Sequence, residues 1–290
     1  MSLYDLLLAP FFNYAFMTRA LAGAVILALS AGPVGVFLTL RRMSLSGDAM
    51  AHAILPGAAA GFVVSGLAIL PMTIGGFIAG LVVALLAGLV SRLTIQREDS
   101  SMAAFYLISL ALGVMLVSLR GSSVDLMHVL FGTVLALNND ALVMIGAIAT
   151  VSLFALALIW RPLFAECLDP LFLRSVSRAG SPVHMIFLAL VVLNLVGGFQ
   201  ALGTLLAVGL MMLPAAAARF WVRGLEAMCL LAMGIGVVSS YVGLVISYHL
   251  GIASGPAIIL TAGAIYAASL VLGPRGLIRT RLVTTRHRIA

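Results

Sequence analysis

RRMSLSGDAMAHAILPGAAAGF, residues 41–62, sets two arginines, an aspartate and a histidine between long apolar segments. The chain on either side is built mainly from Leu, Ala, Val and Gly, in runs that reach the roughly 18–20 residues needed to cross about 30 Å of hydrocarbon. Ionisable residues raise the free energy of membrane insertion, and those that are found inside a membrane usually have a functional role. The stretch therefore predicts a membrane-spanning bundle that carries a polar pair on its flank or inside it.

The composition supports membrane insertion. Of 290 residues, 63% are hydrophobic and 9% are charged, and the mean hydropathy is +1.23. Soluble domains are about a quarter charged, so a chain of this composition could not hide its apolar surface in water. The apolar residues form solid blocks and do not alternate with polar ones, which argues against a β-barrel. We predict an all-α, polytopic helical membrane protein with a single transmembrane domain over residues 1–290.

The apolar blocks predict about nine transmembrane spans, with eight as the lower count. The sixth and seventh blocks form one long apolar run interrupted by GGFQALG at 197–203. They are the least certain, since a short hairpin could place this broken backbone within the protein. The predicted spans are 20–40, 47–66, 72–91, 102–119, 141–160, 183–199, 201–217, 225–250 and 256–273.

Arginine positions set the predicted orientation, because positively charged loops stay in the cytoplasm. All 16 basic residues are arginine, and nine spans place fourteen of them inside and two, Arg19 and Arg120, outside. If the sixth and seventh blocks formed a single span, either the tail or the earlier arginine-rich loops would lie outside the cytoplasm. The predicted cytoplasmic segments are 41–44, 92–100, 161–182, 214–224 and the basic tail 274–290.

The basic residues also exclude two classes of function. A chain without lysine has no Walker A motif, whose lysine contacts the nucleotide phosphates, so we expect no ATP hydrolysis by this chain alone. The arginines lie between spans and do not form one patch, so the net charge of +7 does not indicate nucleic-acid binding. Cys167 and Cys229 match no metal or redox spacing.

Asp48 and His52 are spaced i, i+4, so on a helix their side chains share one face. Aspartate oxygen and imidazole nitrogen are both ligands for Zn²⁺ or Mn²⁺. The pair supplies two ligands, and a two-fold homodimer with this face on its axis would supply four. The alternative is structural: Asp48 would cap a helix that begins near residue 49 and pair with Arg41 or Arg42, while His52 only packs.

GPVGVFLTLRRMSLSGDAMAHAILPG (32–57) resembles the signature of the membrane permease subunits of ABC transporters that import zinc, manganese or iron. Three further stretches resemble segments of this family in the same order. They are VDLMHVLFGTVLAL (124–137) in the outer loop, LGTLLAVGLMMLPAAAARF (202–220) in an apolar run, and SGPAII (254–259) at the start of the last span. Four ordered motifs over nearly the whole chain make the resemblance specific.

The resemblance implies a permease architecture like that of the vitamin B12 importer, the type II ABC importer fold. It implies a homodimer that binds two copies of a cytoplasmic ATPase subunit, receives its ion from an extracytoplasmic metal-binding protein, and lies in the lipids of a bacterial inner membrane. The metal-site motif of the family falls on Asp48 and His52. The expected cargo is a transported divalent ion, and no cofactor is expected to stay bound.

The ATPase-docking segment of the family corresponds to LDPLFLRSVSRAG (168–180), within the predicted cytoplasmic loop 161–182. The resemblance implies a short coupling helix seated on the nucleotide-binding subunit, and an ordinary solvated loop is the alternative. Leu171 stands where the family usually has glutamate. The positions that match the family pattern are Asp169, Pro170, Phe172, Arg174 and Gly180.

Other ionisable residues are weaker candidates for metal binding. Asp125 and His128 lie three residues apart in the outer loop, where an incoming ion could bind, and His249 lies at the outer end of the eighth span. A simple surface position is the alternative for these residues. His184 begins a span beside Pro182 and is predicted to be interfacial.

The predicted function is that of the transmembrane permease subunit of an ABC importer for a divalent transition metal, with zinc ranked first and manganese or iron as alternatives. The chain is not expected to be an enzyme, because ATP hydrolysis falls to a separate subunit. A stand-alone carrier that uses Asp48 as a proton site is the main rival, and it would transport without a partner ATPase. A membrane scaffold would not need the polar pair, and an intramembrane protease is disfavoured because HExxH is missing.

Overall fold

The computed structural model describes residues 7–66, 68–96, 98–119, 137–168 and 180–278. Every regular element in these ranges is an α-helix. In chain order the helices are α1 (Ala9–Asn13), α2 (Ala15–Leu40), α3 (Ser44–Ala53), α4 (Leu55–Ser65), α5 (Ile69–Leu93), α6 (Glu98–Leu119), α7 (Asn139–Leu168), α8 (Gly180–Leu202), α9 (Thr204–Ala218), α10 (Leu225–Leu250) and α11 (Ser254–Leu272).

Eight of the described segments are long and apolar enough to cross a membrane, with α3 and α4 together forming the second of them. The seventh predicted span, 201–217, corresponds to α9, which has 15 residues. Such a helix is about 22 Å long, which is shorter than the roughly 30 Å of hydrocarbon. The predicted all-helical, multi-pass fold is confirmed, with eight full-length spans and one short apolar helix in the described ranges.

Helices α8 and α9 form a hairpin at the GGFQALG break. Gly203 separates them with a φ of 93°, a conformation that glycine adopts without steric cost. Gly198 packs closely against Ala207, so the chain reverses direction between them. Gly203 and Thr204 are buried, and the Gly203 N–H donates to the Phe199 carbonyl at 3.1 Å. The broken backbone therefore lies inside the protein, as the sequence permits.

The two most buried spans are α2 and α8, and 72% of the most apolar window of each is buried. Helix α2 contacts α7, α8, α9 and α10. Small residues allow these contacts, because a Cβ on Gly35 would meet the Met211 carbonyl of α9 and one on Gly32 would meet the backbone at Met233 of α10. The outer helices α6 and α11 expose large apolar side chains, which suits contact with lipid.

The second span is broken between α3 and α4. Pro56 lies in the first turn of α4, and because proline has no N–H it leaves a carbonyl of the preceding turn without its usual helical partner. That carbonyl belongs to His52, and the next one along the chain, that of Ala53, accepts a hydrogen bond from the Ser109 hydroxyl of α6 at 2.9 Å. Helix α3 is therefore a separate ten-residue helix, and it carries the polar pair singled out in the sequence.

Backbone hydrogen bonds fix the turn that joins α2 to α3. Arg42 has a φ of 58°, the left-handed conformation that commonly follows the end of a helix. Its N–H donates to the Thr39 carbonyl at 3.2 Å, and the Met43 N–H donates to the Leu38 carbonyl at 3.0 Å. These are the two bonds of a Schellman motif. Arg41, which caps α2, is thereby held in a fixed relation to α3.

Several segments that the arginine count assigns to the cytoplasm contact one another. Arg275, which follows α11, donates through its backbone N–H to the Phe220 carbonyl and through Nη1 to the Val222 carbonyl, each at 3.2 Å. Arg41 contacts Glu166 at 3.1 Å. Each contact joins two predicted cytoplasmic segments, as the predicted orientation requires.

Parts of three predicted connections fall outside the described residues. Helices α7 and α8 both extend into the predicted coupling loop 161–182, so residues 169–179 remain between them, outside the described part of the chain. The same holds for residues 120–136 of the predicted outer loop. Of the predicted basic tail 274–290, the structure describes the first five residues.

Gly57 of α4 packs against Gly75 of α5 at backbone contact, and a Cβ at either position would meet the carbonyl of the other. We expect Gly57→Ala to lower the thermal unfolding temperature of the purified protein, because overpacking costs about 1–3 kcal/mol and the opposing backbone cannot rotate away. Gly88→Ala in α5 is the matched control, since a Cβ there meets no atom within 4 Å. Equal unfolding temperatures for Gly57→Ala and wild type would contradict this packing.

Candidate metal site

A cavity of about 240 Å³ lies between α3, α9 and α11. Helix α3 contributes two polar side chains to its wall, and the facing helices contribute one threonine and otherwise apolar residues. The residues that line the cavity are Asp48, Ala51, His52, Thr204, Leu205, Val208, Gly209 and Ile259.

Helical periodicity brings these residues to one place. Positions 48, 51 and 52 lie one turn apart on α3, and positions 204, 208 and 209 lie about one turn apart on α9, so each helix presents a single face. Gly209 provides room, because a Cβ there would meet the side chain of Ile259. The i, i+4 pair lies on one helical face and lines one cavity, as its spacing predicted.

Asp48 and His52 approach each other without forming a hydrogen bond. The distance from Asp48 Oδ1 to His52 Nε2 is 3.9 Å, which is longer than a hydrogen bond allows. In the single chain the Asp48 side chain is 63% exposed and the His52 side chain 29% exposed. A carboxylate oxygen and an imidazole nitrogen are thus available to a third group in the cavity.

The His52 ring is positioned by its neighbours. It lies beside the Tyr106 ring of α6, with 6.2 Å between the ring centroids and 33° between the planes. His52 Nδ1 is buried and has no hydrogen-bond partner among the described residues. The nitrogen nearer Asp48, Nε2, is therefore the candidate ligand.

The capping alternative for Asp48 is wrong. Helix α3 begins at Ser44, which places Asp48 in its second turn, and no side chain caps this helix. Arg41 instead contacts Glu166 at 3.1 Å. The position of Asp48 is thus explained neither by a helix cap nor by an ion pair with Arg41.

One chain supplies only part of a metal coordination sphere. Within the described ranges, no cluster of three or more His, Cys, Asp or Glu side chains could hold a metal ion. A closed zinc site takes four protein ligands, and manganese takes a larger set rich in oxygen. The two donors of this cavity therefore need further ligands from water or from another chain.

None of the other predicted ligands lines this cavity in the described part of the chain. His249 lies in the last turn of α10, with its ring edge-on to that of Tyr248 at 5.2 Å between centroids, and it does not line the cavity. Asp125 and His128 lie outside the described residues. A role of these three residues in metal binding stays a prediction.

The predicted coupling residues are described only in part. Gly180 is the first residue of α8. The other four lie outside the described residues: Asp169, Pro170, Phe172 and Arg174.

A buried charged cluster was not predicted from the sequence. Arg41 Nη2 donates to Glu166 Oε1 at 3.1 Å and to His184 Nδ1 at 2.6 Å. The side chains of Arg41, Glu166 and His184 are 12%, 8% and 6% exposed. His184, predicted to be interfacial, is buried against an arginine in the second turn of α8, a contact that the prediction did not include. The one available signal was a lone glutamate in the apolar stretch LFAEC (163–167).

The cluster lies on a layer of aromatic side chains. Arginine has only donors, so His184 Nδ1 accepts the hydrogen bond from Arg41. The Arg41 guanidinium also lies over the Phe187 ring, 5.3 Å from its centroid. Phe187 packs against Phe37, which meets Trp160 edge-on at 5.2 Å. The side chains of Arg41, Glu166 and His184 thus lie together on an aromatic layer.

Comparison with known protein families places most of the chain within a family model. A family model described as the ABC 3 transport family matches residues 13–273 of the chain. The match includes every residue that lines the cavity and all three residues of the buried charged cluster.

The chain is also similar to individual metal-transport proteins. It is 34% identical over 263 residues to the manganese import system permease protein ScaB of Streptococcus parasanguinis, covering 91% of this chain and 92% of that protein. It is 28% identical over 285 residues to the chelated iron transport system membrane protein YfeC of Yersinia pestis, covering 98% and 95%. The solved structure of PsaBC from Streptococcus pneumoniae in complex with Fab matches with a TM-score of 0.85 at 29% identity, over 98% of this chain and 100% of that chain.

Cysteine labelling tests whether the α9 wall of the cavity meets water. Leu205 lines the cavity and is 41% exposed, whereas Leu206 is 0% exposed. In a chain with Cys167 and Cys229 replaced by alanine, we expect a charged thiol reagent to label Leu205→Cys and to spare Leu206→Cys. The reason is that the reactive thiolate forms in water and not in lipid. An unlabelled Leu205→Cys would contradict a hydrated cavity.

Proposed function

Because this chain belongs to the ABC 3 transport family, we propose that two copies of it form the ion path of a metal importer, with Asp48 and His52 of each copy as ligands. The chain is a membrane permease subunit of the metal-importing class of ABC transporters and a multi-pass protein of a bacterial membrane. What the proposal adds is the dimer, the ligands and the identity of the ion.

The cavity is the observation that carries the proposal. A carboxylate and an imidazole lie 3.9 Å apart on one helical face without a hydrogen bond between them. The carboxylate is more than half exposed in the single chain. A two-fold axis beside this face would bring a second aspartate and a second histidine to the same ion. The four donors would replace part of the hydration shell of a divalent cation.

Manganese is the ion that we propose as cargo, with iron second. Relatives of this chain are named for manganese and for chelated iron. Carboxylate oxygen and imidazole nitrogen, without thiolate, argue against copper(I) and suit manganese, iron and zinc alike, so the named relatives set this order. The sequence ranked zinc first, and the comparisons do not confirm it.

ATP-driven transport needs partners that this chain lacks. Since the sequence contains no lysine and hence no Walker A motif, ATP hydrolysis belongs to a separate cytoplasmic subunit, two copies of which serve the dimer. Residues 169–179, with Asp169, Pro170, Phe172 and Arg174, form the docking segment for that subunit. An extracytoplasmic binding protein delivers the ion to the outer side of the dimer.

Metal binding by the purified dimer tests the ligands. We expect Asp48→Asn and His52→Gln each to weaken Mn²⁺ binding in calorimetry by more than about tenfold, because even the loss of an outer partner of a ligand has that effect. Asp140→Asn is the control, since Asp140 is an exposed carboxylate in the first turn of α7. Unchanged Mn²⁺ affinity in both site variants would contradict the proposed site.

Reconstitution tests the transport class. We expect liposomes that hold this chain alone to take up no Mn²⁺ under a proton gradient, and uptake to appear when the ATPase, the binding protein and ATP are added. Asp48→Ala should abolish the ATP-dependent uptake. Uptake by the chain alone, driven by the proton gradient, would instead establish the stand-alone carrier.

A further inference from the structure

The cluster of Arg41, Glu166 and His184 lies between the two regions that an importer has to couple. We propose that it is the link that transmits movement of the docking segment 169–179 to the metal-binding helix α3, with the three side chains as positioning residues. The inference rests on the proposed function, because it takes residues 169–179 as the ATPase-docking segment.

Chain position supports the link. Glu166 lies in the last turn of α7, directly before the docking segment, and His184 lies in the second turn of α8, directly after it. A displacement of the segment therefore reaches both side chains through short lengths of helix. Arg41 is the only residue of the cluster outside this region of the chain, and it precedes α3 by three positions.

A single nitrogen joins the two sides. Arg41 Nη2 lies 3.1 Å from Glu166 Oε1 and 2.6 Å from His184 Nδ1. Hydrogen bonds with an ionised partner are shorter and stronger than neutral ones, and burial protects these from competition with water. Arg41 therefore has to follow when the ends of α7 and α8 move together.

The path from Arg41 to α3 is short and stiff. Arg41 is held by the Schellman motif at the end of α2, whose second bond runs from the Met43 N–H to the Leu38 carbonyl. Its guanidinium rests on Phe187. A displaced Arg41 thus transfers its movement along the backbone to Ser44, where α3 begins.

Helix α3 is a separate short helix, bounded by the turn after α2 and by the break before α4. Its ten residues are separated from α4 by the break at Ile54, and it carries both predicted ligands. The opposite side of the helix is tied to α6 through a hydrogen bond from the Ser46 hydroxyl to Asp99 Oδ1 at 2.8 Å. A displacement of the start of α3 would therefore rotate the helix about this hydrogen bond and tilt the face that lines the cavity.

The cluster also has room for a second arrangement. Arg41 Nη1 and Glu166 Oε2 are buried and have no hydrogen-bond partner among the described residues. A small rotation of the carboxylate would allow a bidentate pair between them, the preferred geometry of arginine with carboxylate. The two arrangements supply the two states that a coupling element needs.

The experiment compares single and double substitutions in the complete reconstituted complex and measures the Mn²⁺ ions imported per ATP hydrolysed. Arg41→Met or Glu166→Leu alone leaves one buried charge unpaired, so each should reduce thermal stability. Arg41→Met combined with Glu166→Leu removes both charges and should restore stability and basal ATP hydrolysis. We expect the transport ratio of this double variant to stay reduced by about tenfold.

Two further variants distinguish a loss of coupling from a loss of protein stability. His184→Leu keeps the ion pair and removes one half of the link, and it should also lower the ratio even if the double variant does not fold. Ser152→Ala with Asn194→Leu is the matched control, because the Asn194 amide donates to the Ser152 hydroxyl at 2.9 Å between the same two helices. The control should leave the ratio unchanged.

Each outcome bears on one of the two proposals. A wild-type ratio in a folded double variant, a wild-type ratio in His184→Leu, or an equal loss in the Ser152 and Asn194 control would overturn the link and leave the permease function intact. Absence of ATP-dependent uptake by the wild-type complex would overturn the proposed function itself.

Discussion

A carboxylate within an apolar helix bundle has to be stabilised by something other than lipid, and this constraint shapes the structure around Asp48. Insertion scales put the cost of an aspartate at the centre of a membrane helix at about 2.5–3.5 kcal/mol. The chain places Asp48 on a short helix that faces a cavity. The Ser109 hydroxyl satisfies the backbone where that helix ends, and Gly209 keeps the opposite wall open. The features that shape this cavity thus also make it suitable for binding a cation.

The buried pair of Arg41 and Glu166 meets the same constraint in another way. Arg41 and Glu166 compensate each other, and removal of either partner of a buried pair costs about 3–5 kcal/mol. Two apolar residues of similar volume would often stabilise a protein as well or better. The pair is therefore better explained by the specific arrangement that it imposes on α2, α7 and α8 than by stability. The pair thus relates the ends of these helices to α3, the helix that carries Asp48 and His52.

Local patterns predicted most of the fold, because each span is one contiguous apolar run and the pair Asp48 and His52 belongs to one helix. Contacts between distant positions leave no such pattern. Glu166 lies 125 positions from Arg41 and His184 lies 143 positions from it, so neither contact could be predicted, and the one partner suggested for the arginine was Asp48. The wall of the cavity on α9 was unpredictable for the same reason. The short length of α9 depends on one residue, Gly203, whose positive φ composition does not reveal.

The central claim is that two copies of α3 hold one ion between them. Pulsed electron paramagnetic resonance of Mn²⁺ bound to the purified dimer tests this directly, because the nitrogen nuclei of coordinated imidazoles modulate the echo of the manganese spin. We expect couplings from two equivalent imidazoles on one Mn²⁺ ion, and the loss of both in His52→Gln. Nitrogen couplings from a single imidazole, or no nitrogen coupling at all, would contradict a site shared across the dimer.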